Sequence, residues 1–271
     1  MAEASLFVEL ELQRARWEEL DALLRSAKQC ESGDRSCVSI CRAAVVFACA
    51  HFEGSIKAVS RAIIEDAIDG GPFSNLPAAM KLRYVQEIML GGPSSDKRIA
   101  SAIVEKLDAG DFNPAPTDIC RMFSHDSHIA GETLKKWGKY FNVDDLLGAV
   151  RGSKLEDIFE GNVSDCSRVL SYFSRSCLNG AKSFPYKFGF LHNSNWRVRP
   201  LEHSKTNANE SLYVQFLEDV FSKRHRVAHG ADLGAISDVK SIESDVLKMR
   251  LLVFAYAAIA GEGISAQYGE K

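Results

Sequence analysis

Residues 36–72 read SCVSICRAAVVFACAHFEGSIKAVSRAIIEDAIDGGP. Val38, Cys41, Val45, Ala48, Phe52, Ile56, Val59 and Ile63 recur at steps of three and four. That is the period of an α-helix with one face turned to a core. The pattern runs until Gly70-Gly71-Pro72, where two residues of low helix propensity meet one that cannot continue a helix. A helix over 36–69 would be about 50 Å long at 1.5 Å per residue. An apolar face of that length needs other long helices to cover it, which makes an all-α fold the expectation.

Working outward, residues 4–30 carry Leu6, Leu10, Leu12, Trp17, Leu20 and Leu24 near one helical stripe, with charges between them. The turn Glu31-Ser32-Gly33-Asp34 ends that helix. Beyond the glycines, Ser74-Asn75 reads as the cap of a third helix to about Leu90, stopped by Gly91-Gly92-Pro93. From about Asn209, Leu212, Tyr213, Phe216, Leu217, Val220, Phe221 and Val227 form a further stripe, and Gly230 stands where a helix C-terminal glycine belongs. A last helix is expected from about Ser237, the capping serine, to Ala260.

The middle is more broken. Short helical patterns lie at 96–109, 131–150, 153–160 and 164–178, divided by turn-rich pieces such as Asp111-Phe112-Asn113-Pro114-Ala115-Pro116. Residues 182–206 read as irregular loop or a short hairpin. The expected architecture is a single domain over 1–271: an antiparallel bundle of the first, second, 209–229 and last helices, with 94–205 as an internal insertion. There is no internal repeat.

Composition narrows the function classes. The chain has 271 residues, 46% hydrophobic and 25% charged, enough to build a sizeable core. A net charge of −3 and a pI near 6.2 give no global field for nucleic acid, so any RNA binding must be local. The seven scattered cysteines include no CxxC pair, and the N-terminus shows no secretory pattern, which points to free thiols in a reducing cytoplasm. The longest apolar run, Leu251 to Ala260, is too short to span a bilayer, so a soluble protein without a membrane partner is expected.

The residues with the most chemistry are Lys223-Arg224-His225-Arg226-Val227-Ala228-His229-Gly230. A guanidinium binds phosphate as a planar fork, and imidazole is the side chain that most readily exchanges a proton near neutral pH. Spacing alone is a weak signal: Arg121 to His128 and Arg197 to His203 satisfy a similar interval. Only Arg224 to His229 follows an amphipathic helix, places a polar residue directly after the arginine and ends in Val-Ala-His-Gly. On an ideal helix, positions five apart differ by about 140°, whereas His225 and His229 share a face. A helix end at Gly230 or a second protomer would have to bring Arg224 and His229 together. The competing reading is structural, since arginine and histidine also complement the negative end of a helix dipole.

In full context, RHRVAHG resembles the motif of the HEPN superfamily: an arginine, a polar residue (often Asn, Asp or His), a short spacer and a histidine. The segment Arg42-Ala43-Ala44-Val45-Val46-Phe47-Ala48-Cys49-Ala50-His51-Phe52-Glu53-Gly54 is similar to a stretch of bacterial HEPN-like nucleases. The likeness covers about 5–90 and 209–260. It implies a helical bundle that dimerises through the motif, forming a composite, metal-independent endoribonuclease site that leaves 2′,3′-cyclic phosphate ends. Arg224 and His229 are then catalytic, His225 is the polar supporting residue where asparagine is common, and Glu53 is a candidate to orient Arg224. Lys223, just before the motif, and Arg226, within it, are candidate RNA-binding cations. The resemblance also implies a role in antiphage defence or as a toxin held by a regulatory or antitoxin partner. The alternative is a non-catalytic HEPN-like module that binds a partner protein or a nucleotide.

Other constellations carry less. Cys120, His125, Asp126 and His128 are ligand types in a loop, but no second pair stands at zinc-like spacing, so no metal is expected. Cys37, Cys41 and Cys49 fall on the apolar side of the second helix and read as core. No nucleophile elbow, P-loop or dinucleotide fingerprint occurs, and no cofactor is expected. Lys187, His192, Arg197, Arg199, His203 and Lys205, interleaved with Phe188, Phe190 and Trp196, read either as an RNA-binding stretch, with Arg197 and Arg199 as its phosphate contacts, or as a solvated loop anchored by aromatics.

Overall fold

The computed structural model describes residues 3–30, 34–92, 95–110, 112–123, 129, 131–143, 163–192, 212–230 and 238–268. Regular structure among them is helical throughout, with no strand. The α-helices are α1 (Ser5–Gln29), α2 (Arg35–Asp69), α3 (Ala78–Tyr84), α4 (Lys97–Ala109), α5 (Pro116–Cys120), α6 (Gly131–Gly138), α7 (Val163–Gly180), α8 (Leu212–Ala228) and α9 (Val239–Ser265). The helical patterns expected past Val143 and over 153–160, the loop beyond His192, and Ser237 lie outside the described residues.

α1 and α2 form an antiparallel hairpin. At the turn the Cys37 thiol donates to the Ala27 carbonyl at 3.7 Å. Halfway along, the buried Ser55 hydroxyl donates to the Gln13 side chain. At the open end Asp66 receives the Ser5 and Leu6 N–H groups at 2.7 and 2.9 Å. The buried stripe of α1 is Leu6, Leu10, Gln13, Trp17, Leu20, Leu24 and Ala27, a strict alternation of four- and three-residue steps. Leu12 falls off that line and is 49% exposed, against the expectation that it faces the core. Gln13 takes the core position because its amide is satisfied by Ser55 on α2 and Glu9 on α1.

The Asp66 carboxylate is a long-range cap. Ala4, the residue preceding α1, offers no side-chain acceptor. Asp66 supplies one from the last turn of α2 and also accepts the Tyr186 hydroxyl at 2.6 Å. Burial first, then the neighbouring carboxylate, push the Tyr186 phenol well above its ordinary range, so it stays a donor. Asp66→Ala removes the acceptor for three donors, and a buried unpaired group costs about 1–3 kcal/mol. We expect Asp66→Ala to lower urea-unfolding stability by about 3 kcal/mol; an unchanged midpoint would mean that water replaces the carboxylate.

α9 is the most buried element, with Leu251 through Gly261 all inside. It packs against α2, α7 and α1. Tyr256 on α9 hydrogen-bonds Ser60 on α2, and the Cys177 thiol of α7 donates to the Phe254 carbonyl at 3.6 Å. The helix begins at Asp238, whose side chain accepts the Lys240 N–H at 3.1 Å, one residue after the serine expected as cap. It runs to Ser265, five residues beyond the expected end at Ala260.

The third helix also departs from its sequence reading. Ser74 and Asn75 do not cap it but lie in a single 3-10 turn, Phe73–Asn75. Leu76 follows with an extended ψ of 151°, as the ring of Pro77 requires of the residue before it. α3 therefore starts only at Ala78 and ends in a wider π-helical turn, Val85–Met89.

α2 is long and apolar enough to cross a membrane by length and composition. Its buried residues, among them Cys37, Cys41, Cys49, Phe52, Ile56 and Ile63, are packed against α1, α8 and α9. The three cysteines of α2 are thus core residues with free thiols.

Candidate functional site

α8 docks on α2 through Tyr213, Leu217 and Val220, which are buried at steps of four and three. Four residues further along that line stands Arg224, half-buried where a hydrophobe would otherwise continue the stripe. One turn earlier on α8 the Phe221 ring meets Phe52 of α2 edge-on at 6.3 Å, and the Cys49 thiol of α2 faces the Val220 carbonyl at 4.0 Å. Burial pushes the Cys49 thiol up to about 12; the nearby Arg224 charge opposes this, and Glu53 and Asp245 add to it. One buried thiol therefore senses a cation from α8 and carboxylates from α2 and α9. The thiol is an inert core group.

The Glu53 carboxylate, one turn after Cys49 on α2, accepts the Ile129 N–H at 3.3 Å. Arg42, eleven residues earlier on α2, shares its face within about 20° on an ideal helix. His51 does not. It turns toward α1, its ring 5.9 Å from Trp17, and burial holds its pKa below the ordinary value against a smaller opposing effect of Glu19. The Arg42–Gly54 segment is thus divided between two faces.

The histidines of the motif stand on the other side of α8. His225 and His229 are exposed, with ring centroids 4.2 Å apart and planes tilted by 56°. The His229 N–H donates to the His225 carbonyl at 3.1 Å and the Gly230 N–H to Val227 at 3.2 Å. Gly230 has φ +69°, a left-handed conformation that ends the helix and is costly for a side chain with Cβ. Arg226 is exposed about 60° around the helix from His229. Lys223 is engaged elsewhere: its ammonium pairs with Asp245 of α9 at 2.8 Å.

Arg224 and His229 therefore lie on different sides of one helix end, as their spacing implies. His225, His229 and Arg226 share the open side. Asp245 is the residue that the sequence reading missed. It precedes Val246 on the buried line Ile242, Val246, Met249, and a carboxylate beside such a line is a signal that a cation is to be held there. Arg197, Arg199, His203, Lys205 and Trp196 lie outside the described residues, as do His125, Asp126 and His128. Among the described residues no group of three or more His, Cys, Asp or Glu is placed to hold a metal ion. Burial pushes the Cys120 thiol up to about 12.

Among the described residues, two of the clefts lie away from this end of α8. One of about 500 Å³ between α1 and α2 is walled by Arg16 with Glu9 and Arg61 with Glu65. The other, about 240 Å³, holds the pairs Lys28–Glu243 and Arg250–Asp21, each at 2.8 Å. Those charges neutralise one another. No family model, curated protein or solved structure matches the chain.

Proposed function

We propose that the chain is a HEPN-type endoribonuclease that cleaves RNA without a metal and works as a homodimer. In this reading α1, α2, α8 and α9 are the HEPN bundle, and 94–205 is an insertion between its second and third long helices. The observation that carries the proposal is the division of the motif at the end of α8. The half-buried Arg224 continues the packed stripe of α8, and the exposed His225, Arg226 and His229 lie off that stripe. A second copy related by two-fold symmetry would bring the His229 of one protomer to the Arg224 of the other. An exposed apolar face of α2 favours such a partner: Phe47 is 52% exposed, and Ala50 and Gly54 are exposed beside it.

The chemistry then follows. The RNA 2′-hydroxyl attacks the adjacent phosphorus and gives up its proton to a general base. The new 2′-O–P bond forms as the P–O5′ bond breaks, and the 5′-oxygen leaves with a proton from a general acid. The products are a 2′,3′-cyclic phosphate and a 5′-hydroxyl. His229 moves the proton. Arg224 stabilises the charge that builds on the phosphoryl oxygens. Arg226 holds a flanking phosphate; Lys223 does so only if released from Asp245. Glu53 takes the role that the resemblance implies for it, orienting Arg224. Cytoplasmic location and a defence or toxin role with an inhibitory partner belong to the same proposal.

The test is incubation of the purified protein with total tRNA and a mixed-sequence RNA in EDTA. Cleavage with cyclic-phosphate ends is expected; no cleavage at any protein concentration would reject the reading. A second reading, a non-catalytic module for a partner protein or nucleotide, is favoured by the Lys223–Asp245 pair, which withdraws one cation from RNA. The two differ in the cell: overexpressed enzyme is toxic and Arg224→Ala relieves it, whereas overexpressed module is benign in both forms.

A further inference from the structure

We propose that His225 and His229 form a two-point chelating site for a late first-row divalent cation, Cu2+ or Zn2+, and that occupancy shuts off the site at the end of α8. The inference about binding stands on geometry alone; its consequence for cleavage rests on the endoribonuclease reading.

The two rings are one turn apart on the open side of the helix, and neither hydrogen-bonds a described residue. Imidazole nitrogens bind such ions at about 2.0–2.1 Å, which puts each ring centroid about 3.2 Å from the metal. Two rings at tetrahedral to octahedral angles are then about 4.5–5.2 Å apart between centroids. The observed 4.2 Å needs an opening of only about 0.3–1 Å, within reach of small side-chain rotations in exposed rings. The backbone between them is fixed, because the His229 N–H is bonded to the His225 carbonyl. Chelation therefore orders two side chains and no main chain.

The donor set selects the ion. Two imidazoles, with no third His, Cys, Asp or Glu grouped with them among the described residues, suit copper and zinc, and copper best. Magnesium and calcium want oxygen donors, which two imidazoles do not supply. The neighbouring cations do not forbid it. Within one protomer Lys223 is neutralised by Asp245 and the Arg224 charge is felt on the opposite side, at Cys49; in the proposed dimer the ion and the partner's Arg224 compete for His229, so an ion there also displaces the catalytic pairing. Arg226 is exposed, where water and salt screen it. An ion on this pair takes the lone pair that His229 needs to accept a proton, so chelation and catalysis exclude each other.

The experiment titrates metal-stripped, untagged protein with Cu2+ and with Zn2+, read by competition with a chromogenic chelator and with no RNA present. The parent should take up one ion tightly, and Mg2+ should not displace it. Loss of an outer-shell partner alone costs about 10–100-fold in metal affinity, so His225→Ala and His229→Ala should each lose at least about tenfold. The double variant should lose no more than either single one, because a chelate fails when one arm is gone. The chain's five other histidines remain in every variant as a common background. Unchanged affinity in the single variants, or a halved uptake at unchanged affinity, would overturn the proposal. Cleavage is measured separately, in EDTA and with added Zn2+. Zinc should stop it and EDTA restore it, whereas full cleavage by zinc-loaded parent would refute the shut-off. A parent inert in EDTA rejects the ribonuclease reading and leaves the binding result standing.

Discussion

His229→Ala should lower the rate of RNA cleavage by about 10²–10⁴-fold, the usual worth of a positioned acid–base group, with the fold and its unfolding midpoint unchanged. The second half of that expectation comes from position. His229 is exposed in the turn after α8, and what holds the turn is its backbone N–H and the left-handed Gly230, both kept in the variant. Arg224→Ala is less clean, because the half-buried arginine stem continues the stripe Tyr213, Leu217, Val220. Arg224→Lys separates the roles. It keeps a charge on a long stem but loses the planar fork, so stability should hold while cleavage falls by about 10²–10³-fold. Mixing the Arg224→Ala and His229→Ala proteins tests whether the site is shared. After exchange of subunits, half of the two-fold dimers contain one of each, and each of these has one intact pair out of two. A composite site then recovers about one quarter of parental activity. A site built within one chain recovers none.

That geometry was half legible in the sequence. The five-residue interval already places Arg224 and His229 on different sides of a helix. The same arithmetic puts Arg224 next on the line of Tyr213, Leu217 and Val220, a step that the composition of the motif conceals because arginine is not expected beneath a helix. The long periodic elements were also legible: α2 begins one residue before the expected start and ends where expected, at Asp69, because nothing but the three- and four-residue period is needed to find it. What escaped depends on residues far apart in the chain. Gln13 holds a core position only because Ser55 meets it, and α1 is capped by Asp66, sixty residues away. Lys223 looks like a free cation until Asp245 is placed beside it. The start of α3 is a different failure. The signal was local, in Leu76-Pro77, but Ser74 and Asn75 offered a more familiar one.

Glycine to alanine substitutions at two helical positions should move stability in opposite directions. Gly263 in α9 faces the turn Lys139–Phe141 so closely that a Cβ would overlap the Phe141 carbonyl oxygen and stand 3.0 Å from Val143 Cγ2. The turn cannot easily retreat. The Phe141 ring stacks on Phe123 at 5.9 Å and meets Tyr256 edge-on at 6.0 Å, and Asn142 after it already holds a left-handed φ of 59°. Alanine would gain about 1 kcal/mol of helix propensity there. The overlap with main chain should outweigh it and lower stability by about 4 kcal/mol or more, the range reserved for broken packing. An unchanged urea midpoint would mean that the 139–141 turn is not docked on α9. Gly54, within α2, has no atom within 4 Å of where a Cβ would sit. Gly54→Ala should therefore stabilise the fold by about 0.5–1 kcal/mol. It also probes function, because Gly54 lies on the exposed α2 face, beside Phe47 and Ala50, that the proposed dimer would use. A variant that is more stable yet cleaves less would mark that face as occupied in the active protein. One that is more stable and equally active would move the partner's contact off α2 and onto the open side of α8.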